Sequence, residues 1–424
     1  MVESVAEDPT GGLHRIHRCE VCGSERLDSV LDLGLHPMCD DLVPVGDTRN
    51  CREYPIEILF CHRCQTGHQR FQVEKRELFP QTYHYRSRFT ADVLSGMQAL
   101  VGCCEDHLGD LAQTKALDIG CNDGSLLDFF RKKGAITIGI EPTGAVEDAA
   151  AKGHLTYQAF FSEEVARTVA SEHQLPDIIT FTNVFAHIQD LDEVLNALRI
   201  LIGPKTLLVI ENHYLGSVLD GRQFDTFYHE HPRTYSFTSF TLIARHLGVE
   251  VIDVEFPSRY GGNIRVFLGN GHDSQVTAST RSELLDREGR FGRRFLAMKS
   301  DIDLWRVAKK RVIDDLVRRH GSLRAKAFPG RAAILVKLLG LDETQISAVY
   351  EKPGSMKIGH YVPGTRIPIR SDDELFALTD QSLPILNLAW HIAPEIRDYL
   401  TRNGYGGPAT DVVQAEDFAP SERA

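Results

Sequence analysis

Within four positions, Tyr228 to His231, the stretch FYHEHPRTYS sets a phenol, an imidazole, a carboxylate and a second imidazole. Such groups are costly to bury unless they are hydrogen-bonded or paired. Three readings are open: a wet surface turn, a metal site, or a set of proton-transfer groups facing a substrate. A zinc site is disfavoured, because His229 and His231 lack helical spacing and an oxygen-rich set suits other metals. Further polar groups that can converge here are His187 in FAHIQDL and the tyrosines Tyr83 and Tyr85 of TYHYRSRF.

A second constellation is built from sulfur. Cys19–Glu–Val–Cys22 and Cys61–His–Arg–Cys64 are two CxxC knuckles, and the chain holds nine cysteines in all. Four thiolates with no open position make a structural zinc site. Two separate redox pairs is the competing reading, but neither pair opens a helix as a thioredoxin-like motif would. The long separation of the knuckles requires a β-rich insert, for which SVLDLG and EILFC are the candidates.

A third is the stretch ALDIGCNDGSLLDFF, which reads strand, glycine turn, helix. Gly120 and Gly124 let the backbone turn sharply and approach a ligand. Asp123 at the helix start has the wrong sign for a pyrophosphate. Two carboxylates near the turn, Asp118 and Asp123, suit a nucleoside with a positive centre, and S-adenosylmethionine is such a ligand. Glu141, ending the next strand in GIEPTG, stands where a carboxylate grips ribose hydroxyls. Asn183, ending FTN, reaches the same mouth. Asp118, Gly120, Asn122, Gly124, Glu141 and Asn183 are therefore the expected cofactor-binding set.

The elements that must position these groups follow from periodicity. KALDIG, AITIGIE, DIITFTNV and KTLLVIEN are short apolar runs with helical patterns between them, the form of a parallel sheet covered by helices. VEVIDVE and NIRVFLG, joined by FPSRYGG, predict an antiparallel hairpin that completes a mixed α/β sheet. FLAMKSDIDLWRVAKKRVIDDLVRRH predicts a long helix with Phe295, Met298, Ile302, Trp305, Val312 and Leu316 on one face. A second, shorter alternation runs from about residue 320 to 400. The tail, 404–424, has too little apolar content to pack and is expected to be disordered.

A chain of 424 residues, 42% hydrophobic, has material for several cores. Its net charge of −12 argues against nucleic acid or an anionic membrane as the main partner. No apolar run approaches a membrane span, and the N-terminal stretch lacks the apolar core of a signal peptide. The expected setting is the cytoplasm, as a monomer or a homodimer.

Together the motifs resemble one family: the sugar C-methyltransferases that act on nucleotide-linked 4-keto-deoxysugars, C-3-methyltransferases in type. The resemblance is carried by CEVCG with LDLGLHP and CHRC, DIGCNDGSLL, NVFAHIQDL, FDTFYHEHPRTYS, RYGGNIRVFLG and VYEKPGSMKIGHYVPGTRIPI. It implies an α/β fold: a Rossmann-like class I methyltransferase core, a small zinc-binding N-terminal domain and a second C-terminal α/β domain. The corresponding boundaries are 13–72, 75–275 and 276–403, the last including the long helix. The implied reaction removes a proton beside a ketone, and the enolate takes the methyl group of S-adenosylmethionine. That needs a base of near-neutral pKa and donors aimed at the enolate oxygen. His231 is the expected base. Tyr228 and His187 would position the sugar and stabilise the oxyanion, Glu230 would hold a hydroxyl or orient an imidazole, and Tyr83 or Tyr85 would close over the substrate. His229 is read as structural. The sequence departs from the family at FPGRAAILVKLLG, where a Lys-Gly turn is usual, and at His213, where proline is common.

Overall fold

The computed structural model describes residues 13–418 apart from Thr82, His84 and Thr90. The chain forms two compact units. One comprises the chain up to Ser29 with Leu59–Gly221 and Glu230–Gly292; the other comprises Val30–Ile58, Arg222–His229 and the chain from Arg293. Strands β1 (Asp28–Pro37) and β2 (Glu53–Cys61) supply the expected β-rich insert between the knuckles, and each runs along the chain from one unit into the other. β3 (Thr66–Gln69) follows the second knuckle.

The first unit is built on β4 (Lys115–Ile119), β5 (Ile136–Ile140), β6 (Leu155–Tyr157), β7 (Ile178–Thr182) and β8 (Leu207–His213). β9 (Arg233–Thr234) pairs with β3 away from this sheet. β10 (Glu250–Glu255) and β11 (Asn263–Gly269) then complete a seven-stranded sheet in the order β10-β11-β8-β7-β4-β5-β6. β4 to β8 pair in parallel, whereas β11 is antiparallel to both β8 and β10. The expected hairpin thus forms, and β6 adds an edge strand that the apolar runs did not mark. Ile178–Phe181 and Leu207–Asn212 are buried along their whole length, as strands covered on both faces must be. One face packs on Val93, Met97, Leu100 and Val101 of the helix Ala91–Leu108.

The second unit carries a smaller all-parallel sheet. β12 (Leu323–Lys326), β13 (Ile346–Glu351), β14 (Ile369–Ser371), β15 (Ile385–Asn387) and β16 (Ala409–Asp411) lie in the order β14-β13-β12-β15-β16. β16 corrects the expectation of a disordered tail. It pairs with β15, Val412 and Val413 are buried, and a 3-10 turn follows at Ala415–Phe418. The tail is ordered because its backbone satisfies buried groups on the long helix, Phe291–His320: Trp305 Nε1 donates to Val412 O at 2.9 Å and Lys309 Nζ to Asp411 O at 2.8 Å. Residues 419–424 lie outside the described residues.

The long helix is present, but its buried seam shifts. Phe295, Met298, Ile302 and Trp305 are buried as predicted, whereas Val312 is 40% exposed and Ile313 is buried instead. Steps of four residues from Trp305 lead through Lys309 to Ile313, and Lys309 is kept inside by Asp417 at 3.1 Å. A charged residue inside the seam hid its course. Within FPGRAAILVKLLG, Ala332–Leu338 is a helix with Ala332 to Val336 buried, so this departure from the family is part of a core.

Candidate active site

At the carboxyl end of β4 the chain must reverse tightly, and Gly120, Asn122 and Gly124 take φ of +75°, +50° and +73°. A Cβ on Gly120 would lie 2.5 Å from the Val184 side chain, so the turn also excludes one for want of room. Asp118, within β4, is buried and accepts a 2.7 Å hydrogen bond from Thr180 Oγ1. Burial pushes its pKa up to about 7, against the pull of the Thr180 bond and with a further push from Glu141. Glu141, directly after β5, accepts from Asn122 N at 3.1 Å and from Thr143 N and Oγ1 at 2.9 and 2.6 Å. A carboxylate can accept about four bonds, so Glu141 is fixed in place with capacity for one hydroxyl. That remaining acceptor fits a ribose hydroxyl of a nucleoside cofactor.

Asp123 has a different task from the one its spacing suggested. It is fully buried; Oδ1 accepts from Ser125 N and Oγ, and Oδ2 from Arg88 N at 3.0 Å, with Arg88 Nη1 at 3.5 Å. It braces the start of the following helix and holds Arg88, so Asp118 and Glu141 are the acidic groups left for the cofactor end.

Asn183 follows β7 with φ +56°, and its N–H donates to Glu211 O at 2.7 Å. Its Oδ1 accepts from Asn263 Nδ2, which also reaches Glu211 Oε1 at 2.8 Å. Glu211 is wholly buried between Arg259 and Arg265, the latter at 2.8 Å. Burial raises its pKa, but the two guanidinium groups outweigh that and hold it below the usual carboxylate range. The helix carrying Gly96 passes so near that a Cβ there would overlap the Arg259 guanidinium. This brace of strand ends was missed: RYGGNIRVF served as a family mark, and only the β8–β11 register brings its polar residues to Glu211.

The imidazoles gather at the same end of the sheet. His187 lies in the single turn Phe185–His187 after β7, and His213 is the last residue of β8. The His231 ring packs against both, with centroids 4.9 Å from His187 and 5.3 Å from His213. Glu230 Oε2 is 4.0 Å from His187 Nδ1 and accepts from Tyr83 Oη at 3.2 Å. Burial, and then His231, hold His187 well below the ordinary imidazole pKa, so it is neutral. Phe79 packs on His187 at 5.3 Å. Sequence reasoning noted His213 as a departure without placing it in this cluster.

Tyr83, Tyr85 and Ser87 join the two groups. While Tyr83 holds Glu230, the carbonyl of Tyr85 accepts from Asn122 Nδ2 at 3.1 Å and Ser87 N donates to Asn122 Oδ1 at 3.0 Å. Tyr83 therefore belongs to the imidazole cluster, whereas the Tyr85 side chain is 42% exposed and its backbone meets the glycine turn. Tyr228 and His229 belong to the other unit. His229 is buried, with Nε2 3.2 Å from Tyr54 O and its ring against Tyr54, as a structural residue would be.

The four knuckle sulfurs, Cys19, Cys22, Cys61 and Cys64, lie within 4.8 Å of one another. Tetrahedral zinc with bonds of about 2.3 Å separates its sulfurs by roughly 3.8 Å, so the set fits that ion. Thr66 Oγ1 lies 3.1 Å from Cys64 Sγ and His68 Nε2 3.3 Å from Cys19 Sγ. Among the described residues no cysteine is in a disulfide. Among the described residues no helix is long and apolar enough to cross a membrane.

Three family models match successive parts of the chain. A zinc binding domain of methyltransferases matches residues 19–79, a methyltransferase domain residues 85–254, and a C-methyltransferase C-terminal domain residues 258–407. The C-methyltransferase NovU of Streptomyces niveus is 28% identical over 395 residues, 90% of this chain and 92% of NovU. A ubiquinone biosynthesis O-methyltransferase of Acinetobacter baylyi is 28% identical over 107 residues, 24% of this chain and 44% of that protein. The crystal structure of magnesium protoporphyrin IX methyltransferase from Synechocystis, with bound SAM, covers 42% of this chain and 80% of its own at 13% identity and a TM-score of 0.32. The chain is an S-adenosylmethionine-dependent C-methyltransferase, with a zinc-binding N-terminal domain and a C-terminal domain similar to those of C-methyltransferases.

Proposed function

We propose that the enzyme methylates the carbon next to the ketone of a nucleotide-linked deoxysugar, by way of an enolate. The observation that carries this reading is the packing of His231 between two further imidazoles at the strand ends that also hold Asp118, Glu141 and Asn183. Carbon beside a ketone is not a nucleophile until its proton is removed, whereas an oxygen or nitrogen acceptor already carries a lone pair and would need no enolate to be stabilised. In this reading His231 takes that proton and passes it to solvent. Neutral His187 donates a hydrogen bond to the enolate oxygen, where charge develops. Glu230, held by Tyr83, binds a sugar hydroxyl or orients His187. Asp118, Gly120, Asn122, Gly124, Glu141 and Asn183 hold the cofactor, and S-adenosylmethionine supplies the methyl group when bound.

The second unit has an anion-binding candidate of its own. Arg331 is nine-tenths buried, its Nε bonds Asp225 at 2.9 Å, and its Nη2 has no hydrogen-bond partner among the described residues. A buried cation with an open donor suits a phosphate oxygen. His213, which puts a third imidazole beside His231 where the family commonly has proline, favours a second reading: a keto acceptor of another class.

A panel of nucleotide-linked ketosugars and simple keto acids, incubated with S-adenosylmethionine, separates the two. The expected product is a nucleotide-sugar one methyl group heavier, its new carbon–carbon bond adjacent to the ketone by NMR. Turnover of keto acids alone favours the second reading; a methyl group on oxygen contradicts both.

A further inference from the structure

We infer that Arg233 is a positioning residue through which the first zinc knuckle sets the spacing of His187 and His231. The inference rests on the acid–base role proposed for that pair and adds what holds it. The two imidazoles sit on separate segments, one after β7 and one in the loop before β9, yet their rings meet edge to face at 77°. Arg233 follows His231 by two residues, and its wholly buried guanidinium donates to the carbonyls of Ile188 and Gln189, next along the chain from His187. It thus bridges both segments.

A buried guanidinium needs a countercharge. Glu20, inside the Cys19–Cys22 knuckle, supplies it at 2.7 Å, and also accepts from Gln72 Nε2 at 2.9 Å. His68 lies between this carboxylate and the sulfur, with Nδ1 3.4 Å from Glu20 and Nε2 3.3 Å from Cys19 Sγ. The second knuckle holds the rest of the loop. Gln69 N donates to Pro232 O at 2.8 Å, Arg233 pairs with His68 in the β3–β9 ladder, and Ser236 Oγ donates to Cys64 O at 3.2 Å. The cysteine module thus grips the loop that bears His231, and Arg233 extends that grip to the turn that bears His187. Misplacing a reacting group by about 1 Å can cost roughly 100-fold in rate.

Two variants of the full-length, zinc-loaded enzyme test this. Glu20→Gln keeps shape but removes the countercharge; Arg233→Lys keeps charge but loses the fork that spans two carbonyls. Both are expected to retain zinc by elemental analysis and to bind S-adenosylmethionine as the parent does. Amide hydrogen exchange across 185–189 should quicken about tenfold, and kcat should fall roughly 10- to 100-fold with KM little changed. The double variant should lose no more than Arg233→Lys alone. Parental exchange at 185–189 in both variants, additive losses, or zinc lost from Glu20→Gln would each overturn the inference. Should Arg233→Lys fail to fold, Glu20→Gln decides by the same exchange and kcat readings. Exchange requires no acceptor: quickened exchange beside an inactive ketosugar panel contradicts the proposed reaction and upholds the positioning role.

Discussion

His229 and His231 stand two residues apart in one loop, carry the same side chain, and enter different regions. His229 is sealed against Tyr54 in the second unit, where burial, with a smaller push from His36 and despite the Tyr54 carbonyl, brings its pKa down to about 4. His231 meets His187 and His213 at the strand ends of the first. The difference teaches that the loop's dense polar spelling serves two purposes: one imidazole packs a core and the other joins two imidazoles at the strand ends, where we propose the base.

The largest effect that would separate them is on turnover. His231→Ala is expected to lower kcat by about 10²- to 10⁴-fold, the range for a positioned acid–base group, with cofactor affinity by calorimetry unchanged. His229→Gln should keep kcat within a few-fold while lowering thermal stability. Equal losses of kcat in the two variants would break the contrast.

A smaller effect sharpens it in the other direction, through pH. The folded-state pKa of His229 lies below its unfolded value of 6.5, so the unfolded chain binds more protons between about pH 6.5 and 4. Stability is therefore complete above about pH 6.5 and falls as pH drops toward 4, with roughly 3 kcal/mol from this residue. His391, lowered to about 3 by burial first and then by Arg331, adds a loss of the same sign. Urea titrations at pH 7 and 4.5 should show a smaller drop in His229→Gln than in the parent; an equal drop would mean that this imidazole is not sealed.

What was legible in the sequence was local. The glycine turn, the paired cysteines and the apolar strand runs each state their geometry within a few residues, because left-handed φ, tetrahedral ligation and strand periodicity are short-range demands. What was illegible depends on partners far along the chain. Asp123 looked like a cofactor carboxylate until Arg88 and Ser125 claimed it. The tail looked unable to pack until Trp305 and Lys309 took its carbonyls. Glu211 read as the polar end of a strand, and only the register of β8 against β11 gives it Arg265 and Asn263. His213 joined the imidazoles for the same reason: its ring meets a loop that no spacing rule relates to β8.

The central claim, that His231 removes a proton from carbon, has a direct test free of methyl transfer. The enzyme is held with S-adenosylhomocysteine and the accepted ketone in deuterated water, and exchange at the carbon next to the carbonyl is followed by NMR. The account predicts enzyme-dependent uptake of deuterium at that carbon by the parent and by His229→Gln, and none above background by His231→Ala. Parental uptake by His231→Ala would contradict it.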